Sequence, residues 1–227
     1  MTPYYERHGD GPPLLLLHST LSSSRQLRTL ALRLARRYTV VSIDRRGSGR
    51  STFDGPAEPI PVTTHIDDVT DIIATEGLGP VAVVGHSFGG CIAIELASHQ
   101  PDLVGAVFAY EPPYAPVAPP AVRAGMAEVG RRTLAARDEQ GLPAAAVTFM
   151  EGVSGADAVA ALSPSARARV ERAGQGAVAD ATLSGMDPEA LVTRIPGADH
   201  VRLRGLEHMA PVLRPDAVAD AVEGFLA

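Results

Sequence analysis

The chain has 227 residues, of which 45% are hydrophobic, enough to bury the core of one α/β domain with an insertion. Its formal net charge of −6 argues against the basic face that nucleic-acid binding requires, and no apolar run reaches the length of a membrane span. The single cysteine, Cys91, excludes an intrachain disulfide and a cysteine-rich metal site. The opening residues, MTPYYERHGDGPP, have no basic stretch followed by an apolar one, so a cytoplasmic address is expected by default. Every basic residue besides histidine is arginine, which reads as a compositional bias with no bearing on function.

In chain order, PPLLLLHS (12–19) reads as a first buried strand, YTVVSID (38–44) as a second, VAVVG (81–85) as a third and LVGAVFAY (103–110) as a fourth. Continuous rather than alternating apolar character suits parallel strands covered on both faces. Helical patterns lie between them. Leu27, Leu30 and Leu34 share one face of 24–37, and Ile66, Val69 and Ile73 share one face of 64–76. Thr64 and Asp67 are spaced as a modified capping box for the second of these helices. A helix over 88–100 stops at Pro101. A last strand, HVRLRG (200–205), precedes a C-terminal helix striped by Val218, Val222, Phe225 and Leu226. The alternation predicts an α/β protein with a doubly wound, mostly parallel sheet. Residues 112–190 break the rhythm with PPYAPVAPP and then Ala- and Arg-rich stretches. They predict a helical insertion lying over one end of a core formed by 1–111 and 191–227.

The stretch Gly85-His86-Ser87-Phe88-Gly89 matches G-x-S-x-G between a buried strand and a helix. Small residues around Ser87 permit a sharp turn that lifts its hydroxyl above the sheet. The free N–H groups of the helix start, Phe88 first, then face developing negative charge. Serine is inert at its own pKa and needs a base. His208, in LRGLEHMAPVLRP, lies between the last strand and the last helix, and loops at the carboxyl ends of parallel strands converge on one rim. His86 adjoins the serine, but its side chain must point away, so it reads as a packing residue. His8, His65, His99 and His200 have surface or core readings. Asp44-Arg45-Arg46 reads as a turn fixed by ion pairs. No metal-ligand cluster is visible, and a phosphate-binding loop would need a lysine.

Taken together, these motifs resemble the α/β-hydrolase superfamily, in its small, lid-bearing, cofactor-free form. LLLLHSTLSSSRQL resembles the family's His-Gly oxyanion loop, and SIDRRGSGRS its Asp-x-Arg-Gly-x-Gly-x-Ser turn. VGHSFGG resembles its elbow and LRGLEHMAP its histidine loop. The order, serine first and histidine near the end, is that of the hydrolase sheet. The resemblance implies Ser87 as nucleophile, His208 as base, and backbone N–H groups of Phe88 and Thr20 as oxyanion donors, with no cofactor. Two departures stand out. Ser19 replaces the glycine of His-Gly, which restricts the backbone there. The family's strand carrying the catalytic aspartate is also missing: ATLSGMDPEALVTRIPGADHVRL has no clear apolar run of strand length.

Glu111, at the end of the AVFAY strand and before Pro112-Pro113, is the first candidate to orient His208. Asp187 is the second and Asp199 the third. The resemblance implies hydrolysis of an ester, thioester or lactone of a small to medium hydrophobic acid. Epoxide hydrolases and dehalogenases of the superfamily place aspartate at the position of Ser87. Two other readings stand beside it: a biosynthetic cyclase or lyase using the same pocket, and a non-catalytic ligand-binding module. A missing strand would expose an edge, and an open edge invites a second copy of the chain.

Overall fold

Leu14, Leu15, Leu16 and Leu17 are all buried, but on two different faces. The computed structural model describes residues 2–182, Met186, Leu203 and 205–227. Among them, strands β1 (Tyr5–His8), β2 (Pro13–Leu17), β3 (Thr39–Ile43), β4 (Val81–His86) and β5 (Val104–Tyr110) form one sheet in the order β1-β3-β2-β4-β5. β2 runs parallel to β3 and β4, and β4 parallel to β5. Leu15 and Leu17 face a core shared with helices α2 (Val62–Thr75) and α3 (Phe88–His99). Leu14 and Leu16 face α1 (Ser24–Leu34) and the C-terminal helix, Pro215–Phe225. Because successive side chains of a strand point to opposite faces, a strand covered on both sides must be apolar at every position.

Two elements differ from the sequence reading. β1 pairs antiparallel with β3 at the sheet edge; its residues, Tyr-Glu-Arg-His, are half-buried or exposed, so no apolar run marks it. The helix expected from Thr64 begins at Val62, and Pro61 takes the capping position without a side-chain cap. Pro61 carries a fixed φ and needs no N–H there, so it starts the helix two residues before the Thr64–Asp67 pair. The expected last strand at 200–205 falls almost wholly outside the described residues, as do His200, Asp187 and Asp199. So does most of the stretch in which a strand was expected to be missing.

After β5 the chain enters a run of helices: α4 (Pro120–Gln140), α5 (Leu142–Ser154), α6 (Ala156–Ala160), α7 (Pro164–Glu171) and α8 (Gly174–Ala179). Polar ties fasten this run to the core. Tyr114 Oη donates to Glu95 Oε1 of α3 at 2.6 Å. Gln175 Nε2 donates to the Phe53 carbonyl at 2.7 Å. The chain closes with α9 (Ala210–Leu213) and α10 (Pro215–Phe225).

The strand order places the candidate chemistry. From β2 the chain goes outward to β3, then returns to the other side of β2 to form β4. Loops leaving β2 and β4 therefore diverge and open a crevice at the carboxyl ends of the strands. Thr20 lies on the first of these loops and Ser87 on the second.

Candidate active site

Ser87 has φ +52° and ψ −120°, a backbone conformation that side-chain-bearing residues seldom adopt. Close packing enforces it. A Cβ on Gly85 would lie 2.3 Å from the Gly89 carbonyl oxygen, and one on Gly89 would lie 2.4 Å from that of Leu17. Only glycine lets β4, the turn and α3 approach this closely. The Ser87 N–H donates to the Tyr110 carbonyl at 2.9 Å, and its carbonyl accepts from Gly90 N–H at 2.8 Å. Phe88 is the first residue of α3, so its N–H has no carbonyl four residues back within the helix.

The neighbouring strand supplies the next group. β5 ends at Tyr110, and Glu111 turns the chain with φ +46°. Its Oε2 lies 2.7 Å from His208 Nδ1. Tyr110 Oη donates to the Glu207 carbonyl at 3.0 Å, fastening the loop that carries His208. Underneath, the buried His86 ring lies 4.9 Å from the His208 ring and 5.9 Å from that of Tyr110. His86 is thus a packing residue, as expected, and the ring it packs against is His208.

The loop after β2 meets a network of polar groups. His18 is fully buried; its Nδ1 donates to the Ser19 carbonyl at 2.7 Å and its Nε2 accepts from Arg45 N–H at 3.0 Å. The loop's left-handed residue is Leu21, with φ +59°; neither Ser19 nor Thr20 has positive φ. A side chain in place of the His-Gly glycine is therefore accommodated here without strain. Asp44 accepts from Ser24 N–H at 2.7 Å and Arg50 N–H at 2.8 Å, and Arg46 pairs with Asp68 at 2.6 Å. Asp44 thus holds the turn through backbone N–H groups and not, as expected, through an ion pair; the ion pairs of this stretch run outward to other elements, and Arg45 reaches furthest. It forms two bonds with Asp180, at 2.8 and 2.7 Å, and Asp180 Oδ2 also accepts from Thr20 Oγ1 at 2.7 Å.

A cavity of about 650 Å³ joins these parts. Ser87, His208, Glu111, Thr20 and Phe88 all border it, and Met126, Phe149 and Val170 are among the apolar side chains of the helical run that complete its wall. The volume suits a small organic ligand. No group of three or more His, Cys, Asp or Glu that could hold a metal ion occurs among the described residues. No described helix is long and apolar enough to cross a membrane.

A family model described as the alpha/beta hydrolase fold matches residues 12–185. The chain belongs to the α/β-hydrolase family. It is 36% identical over 103 residues to a 2-(acetamidomethylene)succinate hydrolase of Mesorhizobium japonicum, covering 45% of this chain and 36% of that protein. It is 34% identical over 105 residues to a soluble epoxide hydrolase of a Corynebacterium species, covering 46% and 36%. The match thus spans little more than a third of the length of these curated relatives. A solved carboxylesterase structure linked to Nitrososphaera gargensis superposes with a TM-score of 0.75 at 22% identity, covering 98% of this chain and 93% of that one.

In this α/β-hydrolase the sequence reading missed Asp180 altogether, because Arg45 and Asp180 stand 135 residues apart. One signal was available: a second arginine directly after the buried Asp44 calls for an acid from elsewhere.

Three buried imidazoles give the hydrolase an acid limit. Burial, then Arg45, pushes His18 and His65 down to about 3; burial, then His208, pushes His86 down to about 4. The unfolded chain protonates all three near pH 6.5. Their contribution is therefore complete above pH 6.5 and is lost as pH falls from there, down to about 4 for His86 and about 3 for His18 and His65. Denaturant titrations should show a loss on the order of 6 kcal/mol between pH 7 and pH 5. A flat profile over that interval would mean that these rings take up protons in the folded state.

Proposed function

We propose that this α/β-hydrolase cleaves an ester, thioester or lactone of a small to medium hydrophobic acid through an acyl-serine intermediate. The observation that carries the reading is the 2.7 Å contact between Glu111 Oε2 and His208 Nδ1, on the rim of the cavity that Ser87 also borders. It meets one requirement of Ser–His–acid chemistry, a carboxylate that fixes the imidazole with its other nitrogen free to take a proton.

In this reading Ser87 Oγ attacks the acyl carbon and its proton passes to His208 Nε2. The Glu111 carboxylate accepts the Nδ1–H bond and stabilises the imidazolium. Backbone N–H groups of Phe88 and Thr20 receive the oxyanion. The tetrahedral adduct collapses as His208 gives its proton to the leaving oxygen or sulfur. Water then attacks the acyl-serine as His208 removes its proton, His208 returns that proton to Ser87 Oγ as the acyl–oxygen bond breaks, and the free acid departs. The helical run acts as a lid, and its apolar wall favours a hydrocarbon acyl group. A soluble epoxide hydrolase is among the relatives, but a serine stands at the nucleophile turn here, which favours acyl transfer.

Intact-mass analysis after treatment with a fluorophosphonate, on wild type and on Ser87→Ala, tests the reading. One adduct that vanishes in the variant is expected. Folded wild-type protein that takes up none would sink it.

A further inference from the structure

Asp180 follows the last turn of α8, where the helical run returns to the sheet, and both it and Arg45 are nearly inaccessible, with side chains 1% and 2% exposed. A buried ion pair is weak evidence for stability, since well-packed hydrocarbon of the same volume often does as well or better. What this pair touches is more informative. Asp180 Oδ2 holds the Thr20 hydroxyl at 2.7 Å. Arg45 Nε donates to the His18 carbonyl at 3.2 Å, and its guanidinium carbon lies 5.0 Å from the centre of the Phe88 ring. Thr20 and Phe88 are the residues whose N–H groups receive the oxyanion in the proposed reaction. One buried pair therefore grips both, from two elements that the strand order drives apart.

We infer that Asp180 is a positioning residue: with Arg45 it clamps Thr20 and Phe88 at the spacing the oxyanion needs, so that docking of the lid through α8 and completion of the oxyanion site are one event. The inference rests on the serine-hydrolase reading and adds a role for an acid that never touches the substrate's reacting atoms. Burial alone would favour protonating Asp180, but the charge and hydrogen bonds of Arg45, aided by Thr20, outweigh it and hold the carboxyl below its usual range. The acceptor for Thr20 is therefore charged at neutral pH. The geometry also accounts for Ser19 in place of glycine: a loop gripped by a side chain at Thr20 has no need of glycine freedom beside it.

Thr20→Val removes the hydroxyl and keeps the shape. With a short p-nitrophenyl ester, kcat should fall about 10-fold with KM within about twofold and the thermal midpoint kept, since misplacing one oxyanion donor costs less than the 10²–10³-fold of deleting it. Thr20→Ser should restore the rate. The paired variant Arg45→Met with Asp180→Leu replaces the ions by hydrocarbon; it should fold as stably, yet lose about 100-fold in kcat. Wild-type kcat in Thr20→Val or in the paired variant, with wild-type enzyme active, would reduce the pair to a structural tie and overturn the inference alone. A wild-type enzyme that neither takes up fluorophosphonate nor turns over the ester would overturn the hydrolase reading, and this role with it.

Discussion

Replacing Ser87 by alanine is expected to lower kcat on an activated ester by about 10⁶-fold, the scale seen when the nucleophile of a serine–histidine enzyme is removed. The fold should survive, because alanine places the same Cβ on the same strained backbone at φ +52°. Glycine at this position separates strain from chemistry. It relieves a left-handed conformation costing about 1 kcal/mol or more in a residue with a side chain, so Ser87→Gly should be inactive and melt higher than wild type. Turnover in Ser87→Ala at more than about a thousandth of the wild-type rate would show that another group does the chemistry.

Glu111→Gln is expected to lower kcat by about 10³-fold with little change in KM. Removing the orienting carboxylate in an enclosed triad costs about 10⁴-fold, because the amide can hold the wrong tautomer and cannot balance the imidazolium. Here the loss is smaller, since the His208 and Glu111 side chains are 40% and 51% exposed, and water both screens the pair and stands in for part of its work. Steady-state kinetics of Glu111→Gln beside Asp187→Asn decides between the two acids. A loss confined to the Asp187 variant would contradict the assignment of Glu111.

The central sheet was legible in the sequence because burial on both faces leaves no choice of residue: 13–17, 39–43 and 81–86 form strands where apolar runs stand, and the only partly buried 104–110 keeps the same apolar run. β1 was not, since an edge strand of Tyr-Glu-Arg-His carries no such signal. The turn at Ser87 was legible because close approach of backbone to backbone admits glycine alone at 85 and 89. Glu111 was named from its place at a strand end, and the contact with His208 forms between residues 97 apart by way of strand order. That Arg45 wants an acid could be read from the sequence, but that the acid is Asp180 could not. Its partner is set by how the helical run returns to the core, and a lone acid in an Ala- and Gly-rich helix end looks like any solvated charge.

Trapping the intermediate tests the central claim most directly. Wild-type enzyme and Glu111→Gln, mixed with a p-nitrophenyl ester and quenched in acid within the first turnovers, would be digested and their peptides weighed. The account predicts one acyl group on the peptide carrying Ser87 in both proteins, absent after Ser87→Ala. Product release with no acyl group on that peptide would contradict it and point to a reaction in this pocket that never passes through the serine.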